Sequence, residues 1–255
     1  MARVVVTGST TGLGLAAAQA LIDDGHDVVL HARNNERARQ LDGIAARSAG
    51  IVIGDLATQD DTRSIATQLN ALGDFDAVIH NAGVYADPQR SPTPDGLPRV
   101  FAVNVVAPYL LTALIKGPSR LIYLSSGMHT DGNPTLDDYD WTRRRWNGVQ
   151  AYSDSKLYIT ALSNAIARLW PHVRSNAVDP GWVPTRMGGP SATDDLTLGQ
   201  HTQVWLAASD DPAANVTGKY WHHRHTQTPA RATGDLAFQN ELLDELARIT
   251  GQTLD

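Results

Sequence analysis

The 255-residue chain contains no cysteine, so neither a disulfide framework nor a thiolate nucleophile is open to it. Cations are also scarce: three lysines, and 21 Lys+Arg against 27 Asp+Glu, give a net charge of −6. That is the wrong balance for a dedicated nucleic-acid binder, whose phosphate contacts need clustered Lys and Arg, and the run Arg143 to Arg145 is too short to supply them. No apolar run reaches the roughly 20 residues of a membrane span; the most apolar stretch, Val100 to Ile115, is interrupted by Asn104, Pro108 and Thr112. The amino terminus, Met-Ala-Arg-Val-Val-Val-Thr-Gly, lacks the apolar core of a signal peptide, which points to a cytoplasmic protein. With 42% apolar residues, the chain is too hydrophobic to remain disordered. No repeat, low-complexity tract or linker divides it, so residues 1–255 are expected to form a single domain.

Short β-branched runs alternate with longer stretches of helical apolar spacing, the pattern of successive βαβ units around a parallel sheet. The strand-like runs are Arg3 to Thr7, Asp27 to His31, Gly50 to Gly54, Ala77 to His80, Arg120 to Ser125, Val173 to Val178 and Lys219 to Trp221. Helices are expected near residues 13–24, 35–47, 59–72, 97–115, 150–170, 194–209 and 236–249. The reading is therefore an α/β doubly wound Rossmann fold with a seven-stranded parallel sheet in the order 3-2-1-4-5-6-7. Loops near 85–96, 127–148 and 181–200 break the rhythm after strand ends, where the ligand crevice of such sheets lies.

Directly after the first strand comes Thr7-Gly8-Ser9-Thr10-Thr11-Gly12-Leu13-Gly14. Glycines at a strand-to-helix turn allow close backbone approach, and the helix amino terminus favours a pyrophosphate. At the end of the second strand, the place that decides between NAD and NADP, Ala32 stands where an acid would bind a ribose hydroxyl, and Arg33 offers a fork suited to a 2′-phosphate. NADP(H) is the expected cofactor. Asp55-Leu56 could hold an adenine edge, though an Asp near a helix start is equally a cap. Asn81-Ala82-Gly83 is a small-residue turn fit to pass beside a cofactor, or a plain turn. Tyr152-Ser153-Asp154-Ser155-Lys156 places a phenol and an amine four residues apart on one helical face. With seven tyrosines and three lysines in the chain, that pairing is not expected by chance. An ammonium beside a phenol lowers its pKa toward neutrality and makes it a usable acid or base.

Together, and in this order, these motifs resemble the short-chain dehydrogenase/reductase family in its shorter branch of about 250 residues; the spacing Gly8, Gly12, Gly14 matches that branch, and the resemblance spans nearly the whole chain. It implies a catalytic tetrad. Tyr152 would be the general acid/base, and Lys156 would bind the nicotinamide ribose and favour the phenolate. Ser126 would hold the substrate oxygen, and Asn104 would anchor a proton relay through water. Ser125 or Ser126 could instead simply end a strand; Ser126 is the one that matches the family motif. Pro180-Gly181-Trp182-Val183-Pro184-Thr185 resembles the nicotinamide-side loop, with Val183 meeting the carboxamide through its backbone and Thr185 adding a hydroxyl contact. The activity implied is hydride transfer between NADP(H) and a carbonyl or secondary alcohol, or, on the same fold, a catalytically silent NADP(H) sensor. A homodimer or homotetramer formed through the helices near 97–115 and 150–170 is also implied.

Ser126 and Tyr152 stand 26 positions apart, farther than the family's common gap. The intervening Thr135 to Trp146 resembles the insertion of retinol-dehydrogenase-like members and relatives of protochlorophyllide reductase. It suggests a bulky apolar substrate: Met128, Trp141, Trp146, Trp182 and Met187 could wall it, or the tryptophans could pin the insertion to the domain. Trp221-His222-His223-Arg224-His225 brings three imidazoles together, but adjacent histidines at a strand end should face opposite ways. No metal is expected there, only a solvated loop.

Overall fold

The structure, a computed structural model, describes residues 1–254. Its strands are β1 (Arg3–Val6), β2 (Asp27–Ala32), β3 (Gly50–Ile53), β4 (Ala77–His80), β5 (Arg120–Leu124), β6 (Arg174–Asp179), β7 (Lys219–His222) and β8 (His225–Gln227). Between them run helices α1 (Gly12–Asp23), α2 (Asn35–Arg39), α3 (Asp42–Ala45), α4 (Gln59–Leu72), α5 (Arg99–Phe101), α6 (Ala107–Leu114), α7 (Gly148–Leu169) and α8 (Leu196–Ala208), with α9 (Leu236–Thr250) after β8. The sheet order is β3-β2-β1-β4-β5-β6-β7-β8, the expected doubly wound order with one strand more.

The alternation of Val4, Val5 and Val6 builds the layers. All three are fully buried, Val5 in the core that faces α4, α6, α7 and α9, and Val4 and Val6 in the core that faces α1 and α8. Strands covered by helices on both sides must be apolar on both faces, which is why they read as unbroken Val and Ile runs. The helices start where side chains can replace missing backbone partners: Thr58 accepts from Asp61 N, Asn147 from Gln150 N, and Asp235 from Ala237 N.

Four sequence expectations change. The segment after β7 is not a solvated loop. His223 and Arg224 take positive φ values of 46° and 64°, turning the chain back so that β8 pairs antiparallel with β7, Trp221 opposite Thr226. The same turn brings the rings of His222 and His223 into a stack with centroids 3.9 Å apart, so they do not face opposite ways. The expected helix over 35–47 is two short ones, α2 and α3. The expected helix over 97–115 contains a wider, π-type turn at Ala102–Val106 joining α5 to α6. Among the described residues no helix is long and apolar enough to cross a membrane, and no group of three or more His, Asp or Glu has the geometry to hold a metal ion.

Helix α9 closes the outside of α7. Phe238, Leu242 and Leu246 are buried in the same core as Tyr158, Leu162 and Ile166, and the Tyr109 hydroxyl of α6 donates to the Gln252 carbonyl at 2.7 Å.

At the end of β4, His80 stacks on Tyr123 with centroids 4.7 Å apart. Its Nε2 lies 3.3 Å from the Thr112 hydroxyl, and its Nδ1 is buried without a partner. Burial lowers its pKa from 6.5 to about 3. The unfolded chain therefore binds the proton more readily, and stability present above pH 6.5 is lost as pH falls toward 3. Moving from pH 7.5 to pH 5 should cost about 2 kcal/mol through His80 alone. Chemical denaturation at the two pH values measures it, and equal stabilities would contradict the buried neutral assignment.

Candidate active site

The turn leaving β1 is held by its glycines. Gly8 and Gly12 adopt φ of +65° and +59°, the left-handed region that costs glycine nothing. A side chain at Gly14 would run into the Asn81 amide nitrogen and the Gly8 carbonyl. That closeness clamps the turn to the one after β4: Asn81 Nδ2 donates to the Thr7 carbonyl at 2.9 Å, and Ala82 N donates to the Thr7 hydroxyl at 3.0 Å.

His31, which no motif singled out, completes the clamp. Gly8 N–H donates to its Nδ1 at 2.9 Å, which leaves Nε2 protonated to donate to the Gly54 carbonyl at 2.9 Å. One neutral imidazole thus ties the ends of β1, β2 and β3, and burial lowers its pKa and keeps it neutral. The signal was a lone polar residue in the apolar strand Asp-Val-Val-Leu-His-Ala. Ser9 serves the same seam, its hydroxyl accepting from His31 N at 2.8 Å.

Above these turns opens a cleft of about 650 Å³. Of the expected cofactor residues, Gly8, Thr10, Thr11, Gly12, Leu13, Arg33, Asp55, Leu56, Asn81, Ala82, Gly83, Pro180 and Thr185 line it, with Tyr152 and Lys156. Ser9, Gly14, Gly181 and Val183 stand behind the lining. Val183 is buried, its Cγ1 filling the space a side chain at Gly199 would take. Gly181 N–H donates to the Asp179 carboxylate at 3.0 Å. Asp55 is a turn-former as well as a wall, accepting from Ala57 N at 3.0 Å. Arg37 of α2 joins Arg33 on the wall; it lies a turn of helix beyond the end of β2, where no motif marks it. Two guanidiniums there make an anion-binding corner.

At the inner end lies the expected tetrad. The Ser126 hydroxyl lies near enough to the Tyr152 phenol to act on its ionisation and accepts from Met128 N at 3.3 Å, whereas Ser125 turns away to Thr160, 2.7 Å distant. Ser125 and Tyr152 line the cleft, with Ser126 beside Tyr152. Lys156 is buried, donates to the Leu124 carbonyl at 2.7 Å, and sits 5.5 Å from the centre of the Tyr152 ring. Asn104 occupies the π-type turn, where such bulges often serve function. Its Oδ1 accepts from Val84 N at 2.9 Å, and its Nδ2 donates to Val84 O and to Ser155 Oγ, each at 3.0 Å. Its amide therefore braces α7 against the loop after β4, since Ser155 Oγ in turn donates to the Tyr152 carbonyl.

One electrostatic expectation reverses. Burial raises the Tyr152 pKa, the nearby Ser126 hydroxyl opposes it, and Asp179 and Tyr85 add to the rise; Lys156 is not among the causes. Lys156 is itself lowered to about 8 by burial, against an upward pull from Asp179. At neutral pH the pair is a phenol beside an ammonium, poised to give a proton.

The insertion supports this pair from outside. Trp141 is buried with Val100, Ala151 and Tyr152, and Arg144 lies 3.6 Å over its ring while bonding Asp154 of α7 at 3.2 Å. Trp146 Nε1 donates to the Asp87 carbonyl at 2.9 Å. Of the two roles left open for these tryptophans, pinning the insertion is the one they fill. The exposed apolar groups that line the cleft are instead Tyr85 and Met187, and Trp182 is exposed on the loop after β6. Tyr85 meets Tyr152 edge-on, centroids 4.7 Å apart.

The clamp makes a prediction. Gly14→Ala should destabilise the fold by about 1–3 kcal/mol, the cost of overpacking a closed contact. Gly43→Ala, where a side chain meets nothing within 4 Å, should be neutral or slightly stabilising. Thermal unfolding of both variants decides it; equal midpoints would contradict the clamp.

The chain is similar over most of its length to known proteins. A family model described as enoyl-(acyl carrier protein) reductase matches residues 8–212. The short-chain dehydrogenase chry4 of Gibberella zeae is 39% identical, covering 98% of this chain and 98% of its own. Retinol dehydrogenase 13 of Homo sapiens is 30% identical, over 97% of this chain and 84% of that protein. Among solved structures, a blue fluorescent protein from a metagenomic library in complex with NADPH is 22% identical and superposes with a TM-score of 0.71, over 87% of this chain and 95% of that one. The glycine turn, the Ser126, Tyr152 and Lys156 cluster and these relatives place the chain in one family: it belongs to the short-chain dehydrogenases/reductases.

Proposed function

We propose that this chain is a cytoplasmic, single-domain, NADP(H)-dependent reductase of carbonyl compounds, or dehydrogenase of the corresponding secondary alcohols. The observation that carries the reading is Tyr152 beside buried Lys156, its ring centre 5.5 Å from the Lys156 ammonium, with Ser126 close by, at the inner end of a cleft whose other end is a glycine cradle. The cradle fits a dinucleotide. Gly8, Thr10, Thr11, Gly12 and Leu13 would face its pyrophosphate at the start of α1. Asp55 and Leu56 would meet the adenine, and Asn81, Ala82 and Gly83 would flank the central backbone. The loop Pro180, Gly181, Val183 and Thr185 would meet the nicotinamide. Arg33, with Arg37 beside it, would read the 2′-phosphate, and no carboxylate stands at Ala32 to favour NAD. The NADPH bound by the blue fluorescent protein points the same way.

When bound, NADP(H) supplies or accepts the hydride. The chain's own groups handle the oxygen and the proton. Ser126 donates a hydrogen bond to the substrate oxygen and holds it against Tyr152. Tyr152 gives its phenolic proton to that oxygen in reduction and recovers it in oxidation. Lys156 binds the nicotinamide ribose and its charge stabilises the phenolate left behind, while Asn104 fixes the helix that carries both groups. Tyr85, Met187 and Trp182 offer a substrate wall with large apolar area, suited to a bulky apolar carbonyl. A homodimer or homotetramer would form through the helices near 97–115 and 150–170, with α9 packed beside α7.

Tyr152→Phe removes the proton donor and little else. Steady-state NADPH oxidation on a panel of bulky apolar ketones and aldehydes should fall by a factor of about 10²–10⁴, with NADPH affinity unchanged. Undiminished turnover in the variant would overturn the assignment, and NADPH binding without any turnover in the wild type would favour the silent sensor.

A further inference from the structure

Lys156 is a buried cation in no ion pair among the described residues; its one hydrogen bond is to the Leu124 carbonyl. An isolated buried ammonium tends to lose its proton, yet the chemistry proposed for it needs the charge. The geometry of the strand ends supplies the missing partner. Leu124 of β5 is paired with Val178 of β6, and Ser125 N–H donates to the Val178 carbonyl at 2.7 Å. The next residue, Asp179, therefore sits at the same level as the Lys156 anchor and one strand over. Its carboxylate is held from two sides. Gly181 N–H donates to Oδ1 at 3.0 Å and His222 Nδ1 lies 3.7 Å from Oδ2, while Oδ2 occupies space that only a glycine at 127 leaves open.

Building on the proposed acid–base pair, we infer that Asp179 is a positioning residue for it, the fixed countercharge that keeps Lys156 an ammonium and Tyr152 a phenol. Asp179 touches neither the cofactor nor the substrate and acts only through the field it sets at these two groups. The groups that face it are Lys156 and Tyr152 on α7, His129 on the short helical turn Gly127–Asp131, and Tyr220 and His222 on β7. Its field raises the proton affinity of Lys156, Tyr152, His129 and Tyr220 alike, and among the described residues it is the carboxylate that acts on Lys156. Nearby Asp194 has a different task, accepting from Trp182 N at 2.6 Å to shape the loop after β6.

The test is the pH profile of NADPH-driven carbonyl reduction. Asp179→Asn keeps an acceptor for Gly181 N–H and removes the charge. Asp179→Ser is a second uncharged replacement, so the result does not rest on one fold, and Asp179→Glu restores the charge. Reduction needs the phenol protonated and the ammonium charged. The alkaline limb of kcat should therefore move down by about half a pH unit or more in the uncharged variants and return toward the wild-type position in Asp179→Glu. Profiles that superimpose on wild type would overturn the role, as would an Asp179→Glu profile displaced as far as that of Asp179→Asn. Tyr152→Phe separates the two layers. If it keeps its turnover, the acid–base assignment itself falls. If it is inactive while Asp179→Asn superimposes on wild type, only the countercharge role falls.

Discussion

The contact between two turns organises this molecule. At Gly8 and Gly14 the chain after β1 comes so close to the turn after β4 that no side-chain carbon fits, and Asn81 and Ala82 hydrogen-bond into the gap. Because β1 and β4 are neighbours in the sheet while α1 and the chain beyond β4 leave on different paths, the clamp opens a crevice at the strand ends instead of closing one. Every other part of the cleft is referred to it. His31 carries it sideways to β2 and β3 by two hydrogen bonds through one neutral ring, which holds the turn after β3 at a fixed distance from the glycines.

The opposite end is built by a second chain of contacts, running from Val84 through the Asn104 amide and Ser155 to the backbone of Tyr152. The wider turn at Ala102–Val106 carries the residue that reaches both neighbours. The insertion packs Trp141 against Tyr152 from the outside, held by Arg144 to Asp138 and Asp154. Burial then sets the protonation states. The phenol is pushed up and the amine is pulled to about 8, with the Asp179 carboxylate as the counterweight to the second effect. A site assembled this way holds a neutral phenol beside an ammonium at neutral pH, the state that the proposed carbonyl reduction would draw on.

Much of this was legible beforehand, because it rests on periodicity and on residues with one use. Parallel strands buried on both faces declare themselves as β-branched runs, and glycines that permit close approach keep a fixed spacing. Tyr152 and Lys156 declare themselves by helical spacing alone. The rest depends on contacts distant in sequence. His31 looks like a stray polar residue until its two carbonyl and amide partners, 23 residues away on either side, are in place. The β7–β8 hairpin was hidden because its turn uses His223 and Arg224 at positive φ, where Asn and Gly would have announced it. The tryptophans of the insertion could be assigned to substrate or to packing only once Trp141 was seen buried and Trp146 tied to Asp87. The expected lowering of the Tyr152 pKa failed for a related reason: spacing shows that a lysine is near, but not that burial outweighs it.

The central claim is that the clamped turns form a seat for NADP(H) and that the seat faces a working proton donor. Titrating the wild-type chain in parallel with NADPH and NADH, followed by tryptophan-to-nicotinamide energy transfer, tests the seat. Adding a bulky apolar ketone or aldehyde to the same cuvette tests the donor. The account predicts that NADPH binds at least about tenfold more tightly than NADH, a difference of roughly 1.4 kcal/mol, and that its signal decays once the carbonyl compound is present. Failure of both nucleotides to bind would contradict the account from Gly8 onward.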